Sequence, residues 1–316
     1  MITVVGEALI DLVRVEGGDP VARPGGSPAN VAVGLGRLGA PVHLITRYGR
    51  DPHGELLAAH LAASEVRVAP SSVHDGRTSV ARADVDAAGV ATYAFDIVWD
   101  PAPGTGVPAD SGCVHTGSIA AMLAPGADAV RGLLAAEHAR GRSVVSYDPN
   151  CRPTLMGEPR AARDRIESLV ALSDVVKVSD EDLAWLYPAR DFAAVADAWL
   201  ARGPGLVVVT RGGEGSYGVC RAGSATVPAE PVTVVDTVGA GDAYTAGLLD
   251  ALRRLGRWDR AGIRRLDVPT LATLLADASV VSAITCSRAG ANPPTRAEVD
   301  WYLRRGAGAA EGVAGG

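Results

Sequence analysis

Short β-branched runs alternate with helix-periodic segments along most of the chain, and this alternation leaves few folds open. TVVG (3–6), VHLIT (42–46), CVHTG (113–117), SVVSYD (143–148), DVVKVS (174–179) and LVVVT (206–210) read as strands. HGELLAAHLAASE, GADAVRGLLAAEHARG and ESLVALS between them read as helices. Parallel strands joined by crossover helices carry cover on both faces of the sheet, so the expectation is an α/β protein with a central, mostly parallel sheet flanked by helices.

Two stretches break the alternation. RTSVARADVDAAGVATYAFDIV (77–98) alternates polar and apolar residues around a turn at Asp86–Gly89, the pattern of an antiparallel hairpin outside the main sheet. Such a hairpin makes a flap. After LVVVT, the segments SYGVC, SATVPA and VTVVD predict antiparallel strands that finish the sheet before a helix starting at Gly241. No internal repeat or shift in composition marks a linker, so the second unit must be inserted into the first. We expect one domain over residues 1–305, with a small β lid inserted at about 12–24 and 77–100, and a disordered tail from 306 to 316, where GAGAAEGVAGG has no periodicity.

A chain of 316 residues with 47% hydrophobic content buries a core of enzyme size. Its formal charge of −6, without a basic block, argues against a nucleic-acid partner. Lys177 is the single lysine. Cys113, Cys151, Cys220 and Cys286 lie far apart with no CxxC pair, which offers neither a zinc knuckle nor a disulfide framework. MITVVGEALIDLV has no basic leader and carries Glu7 and Asp11 within its apolar stretch, and no apolar run reaches the roughly 18 residues of a membrane span. These features predict a cytoplasmic protein without a membrane partner.

GLGRLG (34–39) matches the GxGxxG dinucleotide fingerprint, but that fingerprint needs a strand before it and a helix after it. Here the glycines close the segment SPANVAVGLGRLGA, with Ser27 placed as N-cap and Pro28 at the first helical position, so Gly39 reads as a helix stop and Gly34 and Gly36 as close-packing sites. An NAD-dependent oxidoreductase would rest on this motif alone. A Walker A loop is excluded, because no lysine follows a glycine turn.

The remaining glycine turn is Gly239-Ala240-Gly241, followed by Asp242 where a helix begins. Small residues let backbone amides converge, and a helix start adds unpaired N–H groups and partial positive charge, so this turn can hold an anion without a cationic side chain. Asp242 in the first turn would then either cap the helix or take a proton from a hydroxyl aimed at the bound phosphate.

DTVGAGDAYTAGLL (236–249) resembles the C-terminal signature of the ribokinase/PfkB family of sugar kinases. GEALIDL (6–12), PGGSPANVAVGLGRLG (24–39) and GRDPHG (49–54) resemble that family's sugar-binding segments in the same order, DPNCR (148–152) is similar to a stretch of its fructokinase-like members, and TRGGEGS (210–216) to its nucleotide-phosphate turn. The resemblance implies a ribokinase-like fold and ATP-dependent phosphorylation of a sugar primary hydroxyl, with magnesium and, in some relatives, potassium. It implies Asp242 as base and Gly239, Ala240 and Gly241 as anion hole. Asp11, Gly25, Gly26, Asn30 and Arg152 would meet the sugar, and Lys177, Ser179, Thr210, Gly212 and Gly215 the nucleotide. Ser179 and Asp182 stand where many members carry NxxE, a motif tied to magnesium, or else form the N-cap of the next helix. Asp236 with the Val238 carbonyl, beside SRAGAN (287–292), matches the monovalent-cation position. Fructose is the preferred substrate. Rivals are 2-keto-3-deoxygluconate, whose acid group would call on Arg77 or Arg82, a nucleoside, and a silent sugar-sensing role. Tyr93, Phe95 and Trp99 of the flap could cover the ring or form a homodimer face.

Overall fold

The computed structural model describes residues 1–15, 18–85, 91–102 and 104–313. Strands run in chain order as β1 (Ile2–Val5), β2 (Leu9–Val15), β3 (Val21–Gly25), β4 (Val42–Ile45), β5 (Tyr48–Gly49), β6 (Val66–Val68), β7 (Val73–His74), β8 (Val80–Val85), β9 (Ala91–Asp96), β10 (Cys113–Gly117), β11 (Val144–Asp148), β12 (Val175–Ser179), β13 (Leu206–Thr210), β14 (Ser216–Cys220) and β15 (Gly223–Val227). A nine-stranded sheet has the order β15-β14-β13-β12-β11-β10-β1-β4-β6. It is parallel from β6 to β13 and ends in the antiparallel ribbon β13-β14-β15.

Two apolar layers cover this sheet. Leu206 and Val208 of β13 point into a core with helices Ser27–Arg37, Ala240–Arg254 and Val268–Cys286, whereas Val207 and Val209 join a core with Gly126–Arg140, Pro159–Val170 and Phe192–Leu200. The unbroken valine run follows from this, since both faces of the strand are interior. Each such side chain contributes about 1.5–3 kcal/mol by leaving water.

The lid is a separate four-stranded sheet, β3-β2-β8-β9. The chain enters it directly from β1 after Gly6–Ala8, so β2 begins at Leu9, earlier than the lid segment expected from 12, and Asp11 lies on a lid strand. The hairpin β8/β9 forms as its alternation predicts. Its expected turn at Asp86–Gly89 falls outside the described residues.

Four expectations are corrected. VTVVD (232–236) is not a strand: with β15 already at the sheet edge, Val234 and Val235 stand exposed at 59% and 63%. As far as Val313 the tail is helical, since the helix Arg296–Val313, anchored by the buried Val299, continues into the glycine- and alanine-rich segment. A helix of membrane-spanning length and hydropathy does occur, Val268–Cys286, but it packs within the core against Ala240–Arg254. Trp99 does not cover a ligand: it is buried, and its indole donates to the Ala120 carbonyl at 3.0 Å.

Candidate active site

The parallel strands β11, β12 and β13 end at Asp148, Ser179 and Thr210, and Ser179 stands directly opposite Thr210 in the register. The carboxyl ends of such strands are where open α/β sheets present ligand sites. Helix Ala240–Arg254 starts above them, after Gly239, whose φ of 77° lies in the left-handed region that glycine enters without strain. A Cβ on Gly239 would lie 2.6 Å from that of Ala291, so the turn is pressed against the loop 287–292. The Ala240 amide reaches the Thr237 carbonyl at 3.2 Å, whereas those of Gly239, Gly241 and Asp242 meet no acceptor among the described residues. Three open donors at a helix start suit an anion.

Asp242 is buried in that first turn, 8% exposed. Its Oδ1 accepts from the Ser27 hydroxyl at 2.6 Å and its Oδ2 from the Asn30 amide at 2.8 Å. Burial raises its pKa above the ordinary aspartate value, against the pull of those two donors and with added repulsion from Asp148. Ser27 is not the expected N-cap: Gly26 caps the helix Ser27–Arg37 without a side-chain bond, and the Ser27 hydroxyl is committed to Asp242 instead.

Gly34 explains how two helices bring these groups together. A Cβ on Gly34 would lie 2.7 Å from the Cβ of Ala246, one turn along from Asp242. GLGRLG is therefore an interhelical contact and a helix end within Ser27–Arg37 and after it, with Gly39 at φ 78°, and not a dinucleotide turn.

Lys177 donates to Asp148 Oδ2 at 3.1 Å, both groups almost wholly buried, and its ammonium would lie 3.0 Å from a Cβ on Gly241. Burial opposes the charge, but Asp148, Asp182 and Asp242 outweigh it and hold the ammonium above its ordinary pKa. Thr245 adds a donor to Asp148 at 3.3 Å. Ser179 is the N-cap of the helix Asp180–Leu186, accepting from the Asp182 amide, and Asp182 Oδ1 accepts from the Cys151 amide at 3.0 Å. Burial, and next the nearby Asp148, raise the Asp182 pKa. One strand over, Gly212 and Gly215 shape the turn after Thr210 with φ of 48° and 93°. A side chain at Gly215 would strike the Val227 carbonyl at 2.1 Å.

On the other side of Asp242 stands the lid. The Asp11 carboxylate covers Gly25, where a Cβ would lie 2.1 Å from its Oδ2. Burial pushes Asp11 up to about 6, eased by Arg152 and reinforced by the like charge of Asp242. Gly26, with φ 98°, passes close to the Glu7 carbonyl. The Arg152 guanidinium is tied to Asn150, 2.7 Å from its Oδ1. Asp51 of GRDPHG has a scaffolding part: it caps the helix Pro52–Ala63 and accepts from the Thr78 amide at 2.8 Å at the root of β8. Arg77 and Arg82 do not face this space. Arg82 pairs in register with Leu12, on the sheet face opposite Asp11, and both arginines line a cavity of about 430 Å³ behind the lid with Arg50 and His53.

Beside the turn, Asp236 accepts from the Val238 amide at 3.0 Å and the Gly290 amide at 2.8 Å, and these bonds hold its pKa low. No group of three or more His, Cys, Asp or Glu side chains suited to a metal occurs among the described residues.

Three contributors were given no part in the site by sequence reasoning. Ser27 holds Asp242. Arg23 lies opposite Asp11 on β3 and reaches toward Gly290 and Asp236. Glu7, 3% exposed, accepts from the Ala120 amide at 2.9 Å and from the Ser118 hydroxyl. A carboxylate beside a glycine at a strand end is the only signal that Glu7 offers.

A profile of pfkB family carbohydrate kinases matches residues 1–298. A fructokinase of Rhizobium leguminosarum bv. trifolii is 37% identical over 285 residues, 86% of this chain and 85% of that protein. The structure of a Xylella fastidiosa fructokinase with bound ATP superposes with a TM-score of 0.84 at 26% identity, covering 97% of this chain and 98% of the other. A Vibrio cholerae fructokinase variant bound to fructose, ADP and potassium gives 0.79 at 26% identity, with 96% and 97% covered. The fold is ribokinase-like, and with the match running from the first strand to the last helix, the chain belongs to the pfkB family of carbohydrate kinases.

Proposed function

We propose that this protein transfers the γ-phosphoryl group of ATP to a primary hydroxyl of fructose. The observation that carries the reading is the junction at Asp242: a buried carboxylate beside three open amides on one side and Asn30 and Asp11 on the other. Asp11, Asn30, Arg152 and the Gly25-Gly26 backbone would hold the sugar, since buried polar groups reject a polyol that leaves them unpaired. Lys177, Ser179, Thr210, Gly212 and Gly215 would line the nucleotide side, with the amides of Gly239, Gly241 and Asp242 on the transferring group; the Ala240 amide, expected to join them, is already bonded to the Thr237 carbonyl. Through a loose transition state Asp242 need only orient the alcohol and accept its proton late. Magnesium brought by the triphosphate supplies charge neutralisation, and Asp182 would hold it through water. Asp236 and the Val238 carbonyl, beside the 287–292 loop, would hold potassium, as supported by the potassium-bound relative.

Fructose is favoured over 2-keto-3-deoxygluconate by the fructokinase relatives, and Arg77 and Arg82, the arginines the acid substrate was expected to call on, line the cavity away from Asp11. Val21 and Phe95, both exposed and on the same lid face as Asp11, would be buried if two chains paired through their lids.

A coupled ADP-release assay across sugars and keto acids, with and without potassium, tests the proposal. Fructose should give the highest turnover, and Asp242→Asn should bind sugar and ATP while losing about 10²-fold or more in rate. A keto acid turning over faster would overturn the substrate, and a near-normal rate in the variant would reduce Asp242 to a helix cap.

A further inference from the structure

The two oxygens of Asp242 are held differently, and we infer that Ser27 is a positioning residue of the base: its hydroxyl fixes Oδ1, leaving Oδ2, now on the Asn30 amide, as the oxygen that takes the proton of the acceptor alcohol. The inference rests on Asp242 acting as the base.

Serine at a helix start ordinarily turns its hydroxyl back onto the helix amides, but here no side-chain cap bond forms and the hydroxyl crosses to another helix. The contact is short, 2.6 Å, and buried, as befits a hydroxyl donating to a charged oxygen. Ser27 also has little freedom. On one side Gly26 sits against the Glu7 carbonyl, 2.6 Å from where a Cβ would be, and on the other Pro28 packs onto Gly6, its Cγ 2.3 Å from a Cβ there. One helical turn beyond Asn30, the Gly34–Ala246 contact locks the helix itself to the helix that carries Asp242. The Ser27–Oδ1 bond is thus part of the scaffold.

Asn30 differs. Its side chain is longer and only half-buried, and it carries a second N–H and a carbonyl. A sugar hydroxyl can enter between Asn30 and Oδ2, donating to the carboxylate and accepting from the amide, so no polar group is left unpaired. In the transfer the alcohol O–H bond breaks and its proton passes to Oδ2. The alcohol oxygen bonds the γ-phosphorus, and the bond from that phosphorus to the bridging oxygen breaks, its electron pair leaving on ADP.

Ser27→Ala, Ser27→Cys and Ser27→Thr in the full-length protein separate positioning from packing. Removing a donor to the ionised carboxylate disfavours that form, so the acid limb of the kcat–pH profile should move to higher pH in Ser27→Ala. Its kcat should fall about tenfold at neutral pH, with the KM for fructose nearly unchanged because Ser27 does not touch the sugar. Ser27→Thr should restore the limb, and Ser27→Cys, a weak donor of similar size, should fall between. Wild-type kcat and pH limb in Ser27→Ala would overturn the inference, as would a lower Tm with an unmoved limb in all three. A near-normal rate in Asp242→Asn would instead condemn the base itself, whatever Ser27 does.

Discussion

The ammonium of Lys177, from the middle of β12, and the Oδ2 of Asp148, at the end of β11, stand 3.1 Å apart beneath the turn that precedes Asp242. In a chain whose other basic side chains are arginines, the single lysine is placed where a wide guanidinium would meet Gly241.

An interior ion pair costs most when only one partner is removed, since the other charge is stranded. Lys177→Met should therefore destabilise the protein by about 3–5 kcal/mol, and adding Asp148→Asn should recover much of that loss. Urea unfolding of both single variants and the double variant measures it. Additive losses would mean that the two groups are not coupled as the geometry indicates.

Gly34 sets the approach of two helices, and a larger residue there acts on the site from a distance. Gly34→Val should cost about 1–3 kcal/mol through overpacking against Ala246. It should also lower kcat, because Ser27 and Asn30 retreat from Asp242 with their helix. Gly132→Ala, in a helix where a Cβ meets nothing within 4 Å, is the control and should be neutral or slightly stabilising in the same melts. Equal kcat in the two folded variants would contradict the coupling.

Glu7 makes stability depend on pH. Burial raises it from the model-compound 4.5 to about 7, opposed in part by its hydrogen bonds and Arg152. The folded state thus binds this proton more tightly than the unfolded chain does. The resulting stabilisation is complete below about pH 4.5 and is lost as pH rises through about 7. Glu7→Gln removes the ionisation, so the variant should match the wild type near pH 5 and exceed it at pH 8 by on the order of 3 kcal/mol. Parallel stability–pH curves would refute the assignment.

The layering and the glycine turn before the helix were legible because they rest on local rules: valine runs buried on both faces, and small residues before a helix. VTVVD misled because β propensity reports fit to a half-buried surface, and no neighbouring strand was left to provide one. The glycine- and alanine-rich tail misled in the opposite sense, lacking a period yet continuing a helix begun upstream. Ser27 matched a capping pattern and was drawn away by a carboxylate more than two hundred positions later, a competition that local spacing does not record. Arg82 shows the parity limit: one step along a strand decides which side of the lid a charge serves, and register is a tertiary property.

The β2-β3 half of the lid joins the large domain by two short leads: three residues join β1 to β2, and Gly26 alone separates β3 from the helix that bears Ser27 and Asn30. Asp11 belongs to the small sheet and Asn30 to the helix that packs on the large one. The distance between these two polar groups is therefore set by how the two sheets sit on each other, and on the proposed function a sugar held by both would tie the small sheet to the large one.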